Sequence, residues 1–362
     1  MRLNALKTIS FRNFKRFDLA ASPNANLIGG LNGSGKTSLI EAIYLLGFGR
    51  SFRPGGYKQL INHNETEFTV FCEALSDTGD VIKIGLRRTS EGEIQLRLNG
   101  DTVHKLSEIA RHIPVQLFTP ESVELILSGP SLRRQFMDWG VFHVEHAFYD
   151  LWVAYTKSLK QRNHLLRSKG DMRQDSFWRA QIARLGHEIT ELRSVYIQEI
   201  ENFITNSATF FLPDVKLEVG LKQGWDQSSS LAEALEKHTE RDRRYGHTSV
   251  GPHKADLKLT VDGVDAKLVL SRGQLKLLVA SLKLAQAAHY NAKKDSSCIF
   301  LVDDITSELD EANQEKFITA LEQLGCQSFI TAIDSSPVAR LFKQNPRVFH
   351  VEHGILKQQT EN

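Results

Sequence analysis

The stretch IGGLNGSGKTSLIEAIYLLGFG, residues 28–49, joins a glycine-rich turn to an apolar helix. Its glycines, lysine and threonine fit the pattern G-x-x-x-x-G-K-[ST], in which backbone N–H groups surround a phosphate. The helix N-terminus adds partial positive charge. The predicted phosphate loop consists of Gly30, Leu31, Asn32, Gly33, Ser34, Gly35, Lys36 and Thr37. In this pattern Lys36 would reach the β- and γ-phosphates of ATP, and Thr37 would bind Mg²⁺.

A metal-bound phosphate needs a carboxylate, and a second segment supplies one. Residues 298–302 form a continuous apolar run, typical of a buried parallel strand, and Asp303 and Asp304 follow it. Open α/β sheets bind ligands at this carboxyl edge. We expect Asp303 to hold Mg²⁺ and Asp304 to orient or deprotonate the attacking water. A strand ending in a solvated turn would look the same, and the phosphate loop favours the metal site.

A third motif precedes that strand. Ser271, Arg272, Gly273 and Gln274 open an apolar helix. Serine and glutamine at this spacing form a capping box, which satisfies free backbone donors at a helix start. Serine, glycine and a helix N-terminus can also grip a second phosphate. The motif resembles the signature of ABC-type ATPases, and Ser307 and Asp310 resemble their D-loop.

The rest of the chain predicts two further layers. Residues 67–119 alternate polar and apolar in short runs with an Asn99-Gly100 turn, which indicates an antiparallel β-layer. Apolar residues recur at helical spacing in 148–159 and 182–203, which predicts a short antiparallel helical hairpin around residues 168–171.

Strand patterns then return. They lie at 215–219, and at 257–261 and 266–270, which flank an Asp262-Gly263 turn as a further hairpin. The expected fold class is therefore α/β, with a P-loop core, an antiparallel β-layer and a helical second lobe. We expect an ATP-binding lobe at 1–130 and 248–362, and a mainly helical lobe at 131–247.

Composition is that of a globular protein with no strong charge bias. The 362 residues carry a net charge of +2, so any nucleic-acid footprint must be local. The three cysteines are widely separated in sequence, which favours buried reduced thiols over disulfides or a zinc site. No signal peptide and no apolar run long enough to span a membrane are visible. These features predict a soluble cytoplasmic protein.

The whole chain resembles the RecF family of DNA replication and repair proteins. The resemblance rests on the three motifs above together with residues 11–14, 120–125, 129–138 and 251–254. It implies an ABC/SMC-type ATPase head with a compact helical lobe. It also implies that two copies close on ATP and Mg²⁺, with Ser271 of one gripping the γ-phosphate at Lys36 of the other.

The family's role would follow from that dimer. The resemblance implies ATP-dependent binding to single-stranded, duplex or gapped DNA. It further implies cooperation with RecO and RecR in loading RecA at gaps, in support of the SOS response.

Three positions of the family pattern are less well matched. Gln116 is the candidate for the glutamine that senses Mg²⁺. Asp304 stands where many ABC-type proteins have a longer glutamate, and Thr331 stands where many have a switch histidine. We expect slow hydrolysis, so that the bound state matters more than turnover.

Basic residues give candidate positions for DNA contacts, although a solvated face is the commoner role of such groups. The candidates are Arg12, Lys15, Arg16, Lys160, Arg162, Arg241, Arg243 and Arg244. Contacts from these side chains to phosphates would give affinity without base specificity. Arg133 and Arg134 have a competing role beside the nucleotide phosphates.

Three other functions fit parts of the sequence. An ABC-type ATPase subunit coupled to a membrane or other protein partner is the main alternative, and residues 120–138 argue against it. A nuclease-linked ATPase of the overcoming-lysogenization type would need a carboxylate-rich metal domain after Asp303. A scaffold that binds ATP without using it would differ only in hydrolysis.

Overall fold

The computed structural model describes residues 1–168 and 173–358. The expected turn at 168–171 falls largely outside them. The chain divides into two compact units. Unit 1 comprises Met1–Ser122 and Ala280–Asn362, and unit 2 comprises Val123–Val279.

The strands within the described residues are numbered in chain order. They are β1 (Arg2–Phe11), β2 (Phe14–Ala20), β3 (Ala25–Gly29), β4 (Glu67–Leu75), β5 (Val81–Thr89), β6 (Ile94–Leu98), β7 (Asp101–Val103), β8 (Val115–Phe118), β9 (Leu217–Lys222), β10 (Asp256–Val261), β11 (Val264–Asp265), β12 (Ile299–Val302), β13 (Gln327–Ala332), β14 (Arg347–Glu352) and β15 (Ile355–Gln358).

The α-helices follow the same order. They are α1 (Lys36–Phe48), α2 (Leu106–Ala110), α3 (Glu124–Leu127), α4 (Pro130–Val144), α5 (Phe148–Ser168), α6 (Arg173–Phe211), α7 (Leu231–Lys237), α8 (Thr239–Tyr245), α9 (Ala266–Val269), α10 (Arg272–Lys294), α11 (Ile305–Glu308), α12 (Glu311–Gln323) and α13 (Ser335–Ala339). Short 3₁₀ turns lie at Tyr57–Leu60, Pro120–Val123 and Pro252–Lys254.

A mainly parallel sheet positions the site in unit 1. Its order is β15-β14-β3-β13-β12-β8, and only β15 runs antiparallel to its neighbour. All residues of β12 and β13 are buried, as expected for strands covered on both faces. Because β13 lies between β3 and β12, the loop after β3 and the acids after β12 flank its carboxyl end.

The second sheet of unit 1 is antiparallel, with the order β2-β1-β4-β5-β6-β7. This confirms the β-layer predicted from alternating residues as far as β7, and Asn99-Gly100 forms the turn between β6 and β7. The last part of the predicted range differs, because α2 follows β7 and β8 joins the parallel sheet. One face packs on the core that it shares with α1 and the parallel sheet. Helix α1 is buried along nearly its whole length, because apolar surface lies on both sides of it.

Unit 2 contains the expected helical hairpin. Arg162 of α5 bonds Asp175 of α6, whereas Tyr155 lies near Gly186, so the two helices run antiparallel. At 39 residues, α6 extends beyond the predicted 182–203 at both ends and is about 58 Å long.

Two sequence expectations differ from the structure in this unit. Residues 266–270 do not return as a strand, since β11 is only two residues long and the Asp265 carboxylate caps helix α9 by accepting from Lys267 N–H. Strands β9 and β10 pair with each other and pack against α6 and α4. The two compact units divide the chain at 122/123 and 279/280. The lobe bounds expected from the sequence, 130/131 and 247/248, differ from this division and stay a prediction.

Candidate functional site

The predicted phosphate loop is a tight turn between β3 and α1. Gly30 has φ 149°, and a Cβ there would lie 2.3 Å from the Val351 carbonyl oxygen. Gly35 has φ 124°, and a Cβ there would lie 2.7 Å from Asn13 Nδ2. Side chains at either position would force the loop open, so glycine is required for its shape.

Three other segments hold the loop in place. The Ser34 carbonyl accepts a hydrogen bond from Asn13 Nδ2 at 2.8 Å and another from Gly354 N–H at 3.2 Å. Asn13 belongs to the turn between β1 and β2, and Gly354 to the turn between β14 and β15. The Gly30 N–H donates to the Ile333 carbonyl. The loop is thus shaped by contacts that need no ligand.

Lys36 lies under this turn. Its Nζ donates to the carbonyls of Gly30 at 2.6 Å and Leu31 at 3.1 Å. Burial lowers the pKa of Lys36, and the charges of Asp304 and Asp303 partly oppose that shift. The ammonium is therefore held by two neutral oxygens at the point where phosphate charge is expected.

Asp303 joins the two halves of the predicted site. Its Oδ1 accepts hydrogen bonds from Thr37 Oγ1 at 3.0 Å and from Thr331 Oγ1 at 2.8 Å. Burial raises the pKa of Asp303, and the two threonine hydroxyls lower it. The hydroxyl after the loop lysine and the carboxylate after β12 are therefore adjacent, although they are far apart in sequence.

Thr331 also fixes Asp304. The fully buried Thr331 hydroxyl accepts from the Asp304 N–H at 2.8 Å. Asp304 has φ 52°, in the left-handed region that only glycine, asparagine and aspartate occupy readily. Its carboxylate is half-buried and accepts from Thr306 Oγ1 at 3.1 Å. Thr331, predicted only as a switch position, is thus the residue that connects both acids.

A cleft of about 820 Å³ opens beside the loop, between Lys36, Thr37 and the two acids. Its other wall includes Arg12 and Arg53, which both approach the fully buried Glu41 of α1. The Arg12 guanidinium makes two bonds to Glu41, at 2.8 and 2.6 Å.

The pairing of Arg12 with Glu41 corrects the DNA contact predicted for Arg12 and adds Glu41 to the residues that shape the site. The sequence predicts a DNA contact for Arg12, but Glu41 holds its guanidinium against the loop helix, with only 15% of the side chain exposed. Sequence reasoning missed Glu41. A lone glutamate among apolar residues of a buried helix was the available signal, because such a charge needs a partner.

Gln116 does not reach the metal position. It lies within β8, opposite Phe300, two residues before the Val302–Phe118 pair that precedes Asp303. Its amide Nε2 donates to Gln286 Oε1 at 3.0 Å, and the side chain is buried. The prediction of Gln116 as a Mg²⁺-sensing glutamine was therefore wrong, because the side chain is committed inside the core.

The signature and D-loop residues occupy helix starts. Ser271 N–H donates to Gln274 Oε1 at 2.9 Å, and Gln274 N–H donates to Ser271 Oγ at 3.3 Å, which completes the capping box. Ser271, Arg272 and Gly273 are nevertheless exposed. Ser307 Oγ donates to the Asp304 carbonyl, and Asp310 caps α12. The signature motif lies in unit 2, apart in the chain from the loop of unit 1.

Arg162 cannot contact DNA either. It is fully buried between α5, α6 and α8, and its guanidinium bonds Asp175 at 2.9 Å and Asp242 at 2.7 Å. Arg133 is likewise held by Asp256, and Arg134 donates to the Ala255 carbonyl. The partners of these three arginines lie within unit 2, and for Arg133 and Arg134 they are protein oxygens rather than the phosphates expected.

The remaining basic candidates lie on the surface. Arg16 pairs with Asp18, and Arg243 pairs with Glu240. The exposed candidates are Lys15, Arg16, Lys160, Arg241, Arg243 and Arg244. They remain available to a polyanion in solution, since exposed pairs of this kind contribute little to stability.

The oxygen donors beside the loop suit an Mg²⁺ ion that is bound together with a nucleotide. They are too few to form a metal site by themselves. In residues 1–168 and 173–358 no group of three metal-binding side chains occurs. Thr37 and Asp303 supply two hard oxygens beside a phosphate-shaped loop. Mg²⁺ commonly takes one or two protein oxygens and completes its shell with water and phosphates.

Comparison with known proteins agrees with this arrangement. The family described as RecF/RecN/SMC N terminal domain matches residues 2–357. The DNA replication and repair protein RecF of Idiomarina loihiensis is 54% identical over 99% of this chain and 100% of its own length. The chain belongs to the RecF family. RecF of Shewanella frigidimarina is 42% identical over 98% of this chain and 99% of its own.

Solved structures give the same result. The recombination mediator protein RecF in the RecFOR pathway, described with ATP, matches with a TM-score of 0.90 and 29% identity, over 99% of this chain and 98% of that chain. An Smc head bound to the C-terminal winged-helix domain of ScpA matches with a TM-score of 0.64 at 16% identity, over 99% of this chain and 97% of that chain. The latter likeness supports the fold alone, so this RecF family member has an SMC-type ATPase head fold.

None of the helices in the described part of the chain is both long and apolar enough to span a bilayer.

Proposed function

We propose that this chain binds ATP with Mg²⁺ and acts as an ATP-dependent DNA-binding protein in replication and recombinational repair. The observation that carries the proposal is the meeting of Lys36, Thr37 and Asp303 at one edge of the parallel sheet. The curated relatives are DNA replication and repair proteins, and a similar RecF structure is described with ATP.

Each residue would have a separate task. The loop N–H groups and Lys36 would bind the phosphates, while Thr37 and Asp303 would hold Mg²⁺. Mg²⁺ would neutralise developing phosphate charge. Asp304 would orient the attacking water, and Thr331 would keep Asp303 and Asp304 in register. The short side chain of Asp304 favours turnover below the typical enzyme median of about 10 s⁻¹.

A second copy would complete the site. Ser271 at the start of α10 would grip the γ-phosphate of its partner, as the family resemblance implies. The exposure of Ser271 and Gly273 supports this role. We further propose RecO and RecR as partners in loading RecA at single-stranded gaps, since the similar RecF structures come from the RecFOR pathway.

Light scattering with and without ATP tests the dimer. We expect the wild type to double in mass with ATP, and Lys36→Arg to stay monomeric because the larger guanidinium should not fit where Lys36 Nζ lies against the loop carbonyls. Ser271→Arg should bind ATP and remain monomeric. Equal wild-type masses in both conditions would overturn the cross-subunit site.

Hydrolysis needs its own experiment. Single-turnover assays should show slow phosphate release that Asp304→Asn abolishes without weakening ATP binding. Equal release by both proteins would remove Asp304 from the mechanism.

A further inference from the structure

The outer face of the antiparallel sheet in unit 1 has a feature that the nucleotide site does not use. Side chains of β1, β4 and β5 alternate between the core and this face. Phe71 lies on the outer face and is half-buried, whereas its neighbours Val70 and Cys72 are fully buried in the core. An aromatic ring is therefore presented near the middle of an open sheet.

Strand register places cations on both sides of that ring. Phe71 lies opposite Lys7 on β1 and opposite Gly85 on β5, and Gly85 lies opposite Arg97 on β6. Adjacent strands are about 4.8 Å apart, so Lys7 and Arg97 stand about 14 Å apart with Phe71 and Gly85 between them.

Gly85 leaves an open slot beside the ring. A Cβ at Gly85 would meet only the Cβ of Arg97, at 3.8 Å, and its φ does not require glycine. Space for a flat group is therefore available next to Phe71, bordered by two cations. Lys7 and Arg97 make no ion pair within the described residues.

The charge of the whole face is positive. Its cations are Arg2, Lys7, Arg16, Lys83, Arg87 and Arg97, and its carboxylates are Asp18, Glu67 and Glu73. Asp18 and Glu67 are already paired, with Arg16 and Arg87 respectively. The net charge of the whole chain is only +2, so positive charge is more concentrated on this face than the composition of the chain suggests.

We propose that this face binds a single-stranded nucleic acid, with one base stacked on Phe71 above Gly85 and phosphates held by Lys7 and Arg97. The proposal rests on the proposed function and specifies its DNA ligand. Sheets that carry exposed aromatic and basic residues bind single strands in this way, because unpaired bases offer a free ring face. Bases of a duplex are already stacked and cannot use Phe71.

Fluorescence anisotropy with a labelled oligothymidylate tests the proposal on the full-length protein. Stacking of about 1–3 kcal/mol per base predicts that Phe71→Ala weakens binding by about 5-fold to about 100-fold. Gly85→Val fills the slot and should weaken binding comparably. Gly220→Val is the matched control, since Gly220 also lies in a strand and its Cβ would meet only Lys258 Cβ, at 3.9 Å.

An abasic oligonucleotide of the same length separates stacking from charge. The wild type should bind it about as weakly as Phe71→Ala binds oligothymidylate, and Phe71→Ala should cause no further loss. Lys7→Gln and Arg97→Gln should weaken both probes and reduce the slope of log K against log salt by about 0.7 each.

The outcomes are distinct. If the wild type binds oligothymidylate but both Phe71→Ala and Gly85→Val bind it equally well, the stacking site is refuted. The same follows if Phe71→Ala loses as much affinity for the abasic probe or for duplex DNA. If the wild type binds no DNA in any nucleotide state, the proposed function itself fails.

Discussion

Thr331→Val should loosen the carboxyl edge of the parallel sheet without changing its packing volume much. The substitution removes a hydroxyl that donates to Asp303 Oδ1 and accepts from Asp304 N–H, both at 2.8 Å. A hydrogen bond to a charged group contributes about 1.5–3 kcal/mol, and an unsatisfied buried N–H costs about 1–3 kcal/mol. We expect a loss of at least about 2.5 kcal/mol in local stability.

Hydrogen exchange measured by mass spectrometry on peptides spanning β12 and β13 is the suitable assay. A loss of about 2.5 kcal/mol corresponds to about 60-fold faster exchange at fixed pH. Tryptophan fluorescence would miss the change, because every tryptophan lies in unit 2. They are Trp139, Trp152, Trp178 and Trp225.

The effect should depend on pH. Burial raises the pKa of Asp303, and the Thr331 hydroxyl opposes that rise, so Thr331→Val raises the pKa further. A carboxyl whose pKa is raised by folding binds its proton more tightly in the folded state than in the unfolded state. Proton binding therefore stabilises the fold at low pH, and this stabilisation is lost as pH rises through the folded pKa. The part of the stability loss that comes from the hydrogen bond to the Asp303 carboxylate is therefore largest at neutral pH and decreases on acidification. The part that comes from the unsatisfied Asp304 N–H does not depend on pH.

Thr8→Val provides the control. Thr8 is equally buried, and its hydroxyl has no hydrogen-bond partner among the described residues. We expect no loss of stability from this substitution. Exchange that changes by less than about fivefold in Thr331→Val, or by the same factor in both variants, would refute the reasoning.

Three further effects follow from buried ionisable side chains. Glu41→Gln should lower the free energy of unfolding by about 2–3 kcal/mol in urea titrations followed by circular dichroism, because Arg12 loses its charged partner. Arg162→Met should destabilise unit 2 by about 3–5 kcal/mol by tryptophan fluorescence, whereas Lys160→Met on the same helix should be neutral. Burial lowers the pKa of His253 to about 4, so the free energy of unfolding of unit 2 should fall by about 2 kcal/mol between pH 7 and pH 5.

Each effect has a result that would contradict it. An unchanged urea midpoint for Glu41→Gln would mean that Arg12 and Arg53 are hydrated well enough without the carboxylate. Equal stability of Arg162→Met and Lys160→Met would make the buried pairs unimportant. His253 binds fewer protons folded than unfolded between pH 4 and 6.5, so stability must fall with falling pH there. His253→Gln should flatten that dependence, and an unaltered slope would assign it to another group.

Local sequence patterns predicted those parts of the site whose chemistry depends on the backbone and on residues close by in the sequence. The loop glycines, Lys36 and the apolar strand before Asp303 each carry a signal within a few residues. The adjacency of Thr37 and Asp303 followed from a rule about sheet edges. Such features are readable because local geometry alone requires those residue types.

The failures have the opposite character. Arg162 reads as one basic residue among others, and only the packing of α5 against α6 and α8 reveals that Asp175 and Asp242 surround it. Gln116 sits in a strand whose register with β12 cannot be read from its own sequence. Partners distant in the chain decided both cases.

The carbonyl of Ser34 has a consequence for the order of synthesis. It is held by Asn13, made early, and by Gly354, made more than 300 residues later. A nascent chain that has released α1 from the ribosome therefore has the Asn13 contact to its loop but lacks the contacts from Ile333 and Gly354. We expect ribosome-bound intermediates to hold nucleotide weakly, and affinity to rise only when the β14–β15 turn emerges.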